Sequence, residues 1–211
     1  MKNLIILGAS GYGRDIHSLA KECNGFESTY IIKGFLDDNK NALDGFNNYP
    51  PVIDTLKNYV VKKDDVFVCA IGDIKAKKKC VNIIVEKGGE FLTLIHPLAH
   101  IDFSATVGVG CVIQKNAFLG SCSAIGDFVQ VQDAAIIGHD VKIGDYSRID
   151  CFVVCVGGVI IENGVTIHTS AVINNKVSIG RGATVGALSF VIRKVKEDAI
   201  VFGNPAININ K

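Results

Sequence analysis

From residue 101 onward an apolar side chain returns at every sixth position: Ile101, Val107, Ile113, Leu119, Ile125, Val131, Ile137, Ile143, Ile149, Cys155, Ile161, Ile167, Ile173, Ile179, Val185 and Val191. Fifteen of these sixteen are aliphatic and the other is cysteine. Four residues after each runs a second series of small or β-branched residues, from Ala105 and Cys111 to Ser189 and Val195. Glycine often follows the aliphatic residue, as at Gly108, Gly120, Gly126, Gly138, Gly144, Gly180 and Gly186. Neither a 3.6-residue helical period nor strand alternation makes a repeat of six. Short strands of a parallel β-helix do, with the aliphatic residue buried and turn-permissive residues at the corners. A non-catalytic solenoid scaffold would show the same repeat.

Residues 1–95 lack this period and read as a separate α/β domain, with the β-helix filling 96–211. Lys2–Leu7 predicts a buried strand, with Ile31–Leu36 and Val66–Ile71 as further strands. Arg14–Cys23 and Asp73–Lys87 predict helices, so strands alternate with helices as in a small parallel sheet. The loop Gly8-Ala9-Ser10-Gly11-Tyr12-Gly13 joins the first strand to the first helix. There, glycines admit an anion close to the backbone, and a helix N-terminus offers free N–H groups; a packing turn has the same sequence. Asp37 is spaced to meet the ribose of a dinucleotide. About 95 residues are nevertheless too few for two mononucleotide-binding halves, so the domain has room for one nucleotide. Lys75, Lys77, Lys78 and Lys79 read as a solvated helix face.

The chain has 211 residues, a hydrophobic share of 48% and a net charge of +1. That near-neutral balance argues against sequence-independent nucleic-acid binding, which needs a clustered positive field. No apolar run is long enough to predict a membrane span, and the one before Gly8 is too short for a signal peptide. Seven cysteines without a C-x-x-C spacing predict free thiols in a reducing compartment, the cytoplasm.

His139 lies in Ile137-Gly138-His139-Asp140, off the inward series, where an imidazole projects from the coil and can accept a proton near neutral pH. An exposed turn histidine has the same pattern. Stacking by 18 residues places Asp150 beneath His168, which reads either as a ladder contact or as an imidazole oriented by a carboxylate. The same stacking puts Ser121 and Gly157 on either side of His139, predicting open space around it, and sets Cys122 under Asp140. A zinc-dependent carbonic anhydrase on such a helix needs three histidines. Only His139 and His168 are available, besides His96 and His100 at its entrance, and no metal is expected.

The Gly-Ala-Ser-Gly-x-Gly loop, Asp37-Asp38, Ala70-Ile71-Gly72, His139 among the hexads and Gly203-Asn204-Pro205-Ala206 together resemble the sugar O/N-acetyltransferases related to PglD and NeuD. The hexad domain is similar to their left-handed β-helix, and the likeness is nearest to UDP-4-amino-sugar N-acetyltransferases of glycan biosynthesis. The resemblance implies an enzyme that transfers acetyl from acetyl-CoA to the amine of a UDP-linked sugar, working as a homotrimer. It implies that His139 is the general base, with Asp140 as its acidic neighbour. Gly11, Tyr12 and Gly13 would face the nucleotide, Asp37 and Asp38 the uracil or ribose, and Gly72 the same pocket. Gly157, Thr169 and Ala187 would line the acetyl-CoA groove between adjacent β-helices. Arg148 stands where those enzymes carry a second active-site histidine, and it is assigned to the acetyl-CoA side. Attack is expected to be direct, without an acyl-enzyme; Cys122 is the one thiol placed to be tested. O-acetylation of a sugar or sialic acid is the alternative transfer, and a sugar-nucleotide-binding scaffold the non-catalytic one.

Overall fold

The computed structural model describes residues 1–210 and divides into two compact units, Met1–Leu94 and the remainder from Ile95. The first is a parallel sheet with strands β1 (Lys2–Leu7), β2 (Tyr30–Leu36), β3 (Val52–Asp54), β4 (Asp65–Cys69) and β5 (Glu90–Phe91). Their order is β3-β2-β1-β4-β5. β1 is central, which is why Leu4, Ile5, Ile6 and Leu7 form an uninterrupted apolar run with no exposed surface. The chain leaves β1 toward β2 on one side and later returns as β4 on the other. The carboxyl ends of these strands therefore diverge, and an open α/β sheet has its crevice at such a point.

Helix α1 (Gly11–Glu22) begins one turn earlier than the pattern predicts, because Gly11 and Gly13 fit the first turn behind Ser10. Helix α2 (Ile74–Glu86) starts at Asp73, whose carboxylate accepts the Ala76 N–H at 2.7 Å. The lysine run on α2 is not one solvated face. Lys77 has no exposed surface, since it shares the core-facing spacing of Val81 and Ile84; Lys75 and Lys79 are exposed.

The second unit is a three-sided parallel β-helix of the left-handed class. Two-residue strands pair with partners 18 residues away, for example Ile137 with Leu119 below and Cys155 above. The six-residue series is the inward one, and from Ile113 to Val191 it is buried throughout. The corners differ in one respect from the sequence expectation. The glycine after the aliphatic residue is demanded by close approach of the next coil: a Cβ on Gly138 would lie 2.8 Å from the Cys155 carbonyl oxygen. The left-handed turn residue comes two positions later and is usually not glycine, as at Cys122 (φ 57°), Asp140 (φ 58°) and Phe152 (φ 61°).

The three outer faces are chemically unequal. One carries His100, Phe118, Ile136, Val154, Val172 and Phe190 outward, with Phe118 41% and Ile136 44% exposed. The next presents Thr106, Ala124, Lys142, Ile160 and Ser178 at the equivalent positions. Among the described residues no helix is long and apolar enough to cross a membrane.

Candidate active site

At the divergence of β1 and β4 the first unit holds a cavity of about 670 Å³, within the range usual for small-molecule sites. Gly8 and Ser10 line it from the end of β1, Asp37 and Asp38 from β2, and Ala70, Ile71 and Gly72 from β4. One side of α2 supplies Ala76, Lys79, Cys80 and Ile83, and the segment after β3 adds Leu56 and Lys57. The cavity thus has apolar walls, with carboxylates at the end of β2 and lysines from α2 and the segment after β3. Burial, then the Asp38 carboxylate, pushes the Cys80 thiol above its ordinary pKa, so it stays a neutral wall group.

The two aspartates have different duties. Asp37 Oδ2 accepts the Ala9 N–H at 2.8 Å and its Oδ1 accepts the Asn39 N–H at 2.9 Å, fastening the glycine loop to the end of β2. Asp38 is exposed on the cavity wall and is the carboxylate placed to meet a ligand. Of the loop residues, Gly11, Tyr12 and Gly13 are not on that wall. Gly13 is buried against Gly8, whose carbonyl any Cβ at 13 would strike, so its role is helix–strand packing. Lys87 was not singled out by the sequence. Its ammonium donates to the carbonyls of Leu56 (2.6 Å), Lys57 (2.7 Å) and Tyr59 (3.0 Å), and so ties the 56–59 segment to the end of α2. The i, i+3/4, i+7 spacing of Ala76, Lys79, Cys80 and Ile83 was the available signal for this wall.

In the second unit His139 occupies the corner after the strand Ile136–Ile137. The coil above donates the Gly158 N–H to its carbonyl at 2.9 Å, and the Asp140 N–H bonds the Ser121 carbonyl at 2.9 Å below. With the backbone pinned from both sides, the left-handed turn at Asp140 brings its carboxylate back onto the imidazole, Nδ1 to Oδ2 at 2.7 Å. A carboxylate only accepts, so Nδ1 carries the hydrogen, and in the neutral ring the lone pair is on Nε2. Both side chains are about two-thirds exposed, at 67% and 64%.

The predicted open space beside this histidine is absent on one side. The ring lies directly over Gly157, and a Cβ there would collide with Nε2 and Cε1. Asn175 Nδ2 (3.0 Å) and the Lys176 N–H (3.1 Å) fix the Gly157 carbonyl. Cys122 is exposed, with its N–H held by Ser104 Oγ at 2.9 Å; the bonded neighbour of the imidazole is Asp140, not a thiol. All seven cysteines are free.

A different corner gathers Arg148, Asp150 and His168. Arg148 Nε donates to Asp150 Oδ1 at 2.6 Å and Nη2 to Oδ2 at 3.1 Å, while His168 Nδ1 meets the same Oδ2 at 3.0 Å. The Asp150 side chain is 5% exposed. Thr169, exposed, and Ala187, half-buried, lie on the same corner. Among the described residues no group of three or more His, Cys, Asp or Glu side chains is placed to hold a metal.

Residues 3–84 match the family described as the PglD N-terminal domain. The matched stretch falls within the first unit. Over 95% of this chain and 93% of that protein, the sequence is 29% identical to the GDP-perosamine N-acetyltransferase of Escherichia coli O157:H7. It is 29% identical to the UDP-N-acetylbacillosamine N-acetyltransferase of Bacillus subtilis (strain 168), over 54% of this chain and 51% of that protein. Among solved structures, the acetyltransferase domain of PglB from Neisseria gonorrhoeae FA1090 superposes with a TM-score of 0.89 and 27% identity. That match covers 99% of this chain and 100% of that one. The same domain is known in complex with acetyl coenzyme A. An α/β unit followed by a β-helix is thus the arrangement this chain shares, over 99% of its length, with that acetyltransferase domain.

Proposed function

We propose that this protein is an acyltransferase that moves acetyl from acetyl-CoA to the amine of a nucleotide-linked amino sugar, in surface-glycan biosynthesis. The observation that carries the reading is the His139–Asp140 pair: a projecting imidazole with Nδ1 held and Nε2 available, on a fold whose relatives are sugar N-acetyltransferases. The sugar amine attacks the thioester carbon directly. As the C–N bond forms, His139 Nε2 takes the amine proton, a role worth about 10²–10⁴ in rate. The Gly157 amide beside the ring is assigned to the oxyanion of the tetrahedral intermediate. Collapse breaks the C–S bond, and the imidazolium returns its proton to the departing CoA sulfur.

The cavity of the first unit takes the nucleotide, with Asp38 at the base or ribose and Gly8, Ser10 and Gly72 at the phosphates. UDP is the assigned nucleotide. GDP is the second reading, because the relative matched over nearly the full chain acts on a GDP-linked sugar. Acetyl-CoA runs past Gly157, Thr169 and Ala187. The apolar outer face of Phe118, Ile136, Val154 and Val172 is assigned to contact between copies in a homotrimer, since a lone copy leaves that contiguous patch in water. Free cysteines fit a cytoplasmic setting.

The test is acetyl transfer followed by mass spectrometry, with acetyl-CoA and a panel of UDP- and GDP-linked amino sugars. One added acetyl group on one acceptor, lost in His139→Ala, is the expected result. Transfer that persists in that variant removes the histidine from the mechanism; a panel without any product removes the amine acceptor.

A further inference from the structure

The corner that carries His139 recurs on each coil, so Phe103, Ser121, His139 and Gly157 occupy one corner position on four successive coils. Successive coils are roughly 4.8 Å apart, the spacing of paired strands. The imidazole leans onto Gly157, and the exposed Ser121 lies on the other side of it. The mechanism above uses only the His139–Gly157 part of this column. Beyond Ser121, Asp102 is held by Ser104, whose N–H donates to Oδ1 at 2.9 Å and whose hydroxyl donates to the same oxygen. The second oxygen, Oδ2, accepts the Ser121 hydroxyl at 3.2 Å. The hydrogen bonds from Ser104 are the main reason that the Asp102 carboxyl lies below its ordinary pKa, so it acts as an acceptor. The Ser121 proton is thereby committed, and Oγ turns lone pairs outward.

The first coil closes this corner differently from the next two. Ser104 accepts the Cys122 N–H at 2.9 Å and, unlike Cys122 and Asp140 at the same position, is not left-handed. Phe103, between Asp102 and Ser104, is 97% exposed, more than any other large apolar side chain among the described residues. An aromatic ring, a fixed hydroxyl oxygen and an imidazole thus stand in line along one edge. A sugar ring presents the complementary set, an apolar C–H face with donors at its rim. Resting on the acetyltransferase reading above, we infer that the acceptor sugar lies along this column of a single chain. Ser121 Oγ accepts from a hydroxyl next to the reacting amine, Asp102 is the positioning residue for Ser121, and Phe103 covers a C–H face of the sugar ring. Acetyl-CoA keeps to the Gly157 side of the imidazole and the acceptor to the Ser121 side. The acceptor class is then a sugar with a hydroxyl beside its amine, since a deoxy carbon or a fluorine there brings no proton to Ser121.

Steady-state kinetics at saturating acetyl-CoA test this with a UDP- or GDP-linked 4-amino sugar that the wild type acetylates, its 3-deoxy analogue and its 3-fluoro analogue. A wild type that acetylates no amino sugar overturns the acetyltransferase reading and this inference with it; every other outcome bears on the inference alone. The wild type should prefer the hydroxyl-bearing sugar to the deoxy one by about tenfold in kcat/KM. Ser121→Ala should lose about that factor on the hydroxyl-bearing sugar and leave the deoxy sugar and the KM for acetyl-CoA unchanged. Equal use of both sugars by the wild type, or equal losses on both in Ser121→Ala, overturns the hydroxyl assignment. In Asp102→Asn an amide nitrogen can donate to Ser121 and release its proton outward. The preference for hydroxyl over fluorine should then shrink about fivefold from the wild-type value. An unchanged preference overturns the positioning role of Asp102.

Phe103→Ala should raise KM for the amino sugar about fivefold at unchanged kcat and melting temperature, and Phe103→Trp should restore it. An unchanged KM overturns the platform. Light scattering should find the same assembly mass for Phe103→Ala as for the wild type; a smaller mass assigns the ring to contact between copies and overturns the platform. Titration calorimetry without acetyl-CoA gives a readout independent of turnover. Ser121→Ala should bind the nucleotide sugar about tenfold more weakly and the free nucleoside diphosphate as tightly as the wild type. Equal weakening of both ligands overturns the placement of the sugar.

Discussion

The two units build their sites by opposite means. In the β-helix every coil repeats one backbone path, so a functional residue is an exception written onto a fixed frame. His139 needs only to stand off the inward series, and the neighbouring coils fix its backbone through Gly158 and Ser121. In the α/β unit nothing repeats. Its cavity forms where β1 and β4 part, and its lining comes from segments that are distant in sequence, Leu56 and Lys57 together with Ala76 and Ile83. A periodic frame makes a site legible and intolerant of added volume. An aperiodic one hides its residues and depends on side-chain ties to keep its shape.

That contrast can be broken most forcefully at Gly157. The residue has no left-handed backbone requirement, so alanine is tolerated by the chain, but its Cβ would displace the His139 ring. Gly157→Ala should lower kcat about 100-fold through misplacement of the base, with little change in melting temperature. Steady-state kinetics beside a thermal melt decide it; unchanged kcat would mean that the ring has room to move.

The corresponding weak point of the cavity is Lys87, whose three hydrogen bonds hold the Leu56–Tyr59 wall. Lys87→Met should cost about 1–3 kcal/mol of stability in the first unit, because it leaves carbonyls without their donor. Titration calorimetry should find nucleotide diphosphate binding weakened about tenfold, while turnover at saturating sugar changes little. Equal losses in kcat and affinity would contradict this division of labour between the units.

The smallest effect concerns His17, buried on α1 with its ring against Tyr49 at 5.0 Å and Phe35 at 6.1 Å. Burial, and then Lys21, lowers its pKa below the ordinary histidine value of 6.5. A depressed pKa means that the folded state binds the proton less well than the unfolded chain. The stability from neutral His17 is therefore present above pH 6.5 and is lost as pH falls below it. Melting temperature should drop between pH 7 and pH 5, and His17→Phe should flatten that drop while keeping the ring contacts. A variant whose pH dependence matches the wild type would show that other groups carry it.

Much of this was visible in the order of residues alone. A six-residue aliphatic period admits one kind of backbone, since only a coil with three flat sides returns the same side chain inward at each step. The period therefore determined the β-helix, the inward series and the projection of His139. Local glycine and strand signals determined the central strand and the loop before α1.

Other features needed atoms that meet in space. Gly13, read as a ligand contact, lies so close to the Gly8 carbonyl that no Cβ fits, a proximity that a loop's spacing does not reveal. Lys77 read as solvated, yet α2 turns it inward with Val81 and Ile84. The unequal duties of Asp37 and Asp38, the Lys87 tie and the closeness of His139 to Gly157 join residues through side-chain reach, which depends on backbone direction and rotamer. The six-residue period carries the periodic frame, because period and backbone geometry are the same information. Which groups face one another across that frame depends on distances in space that no repeat encodes.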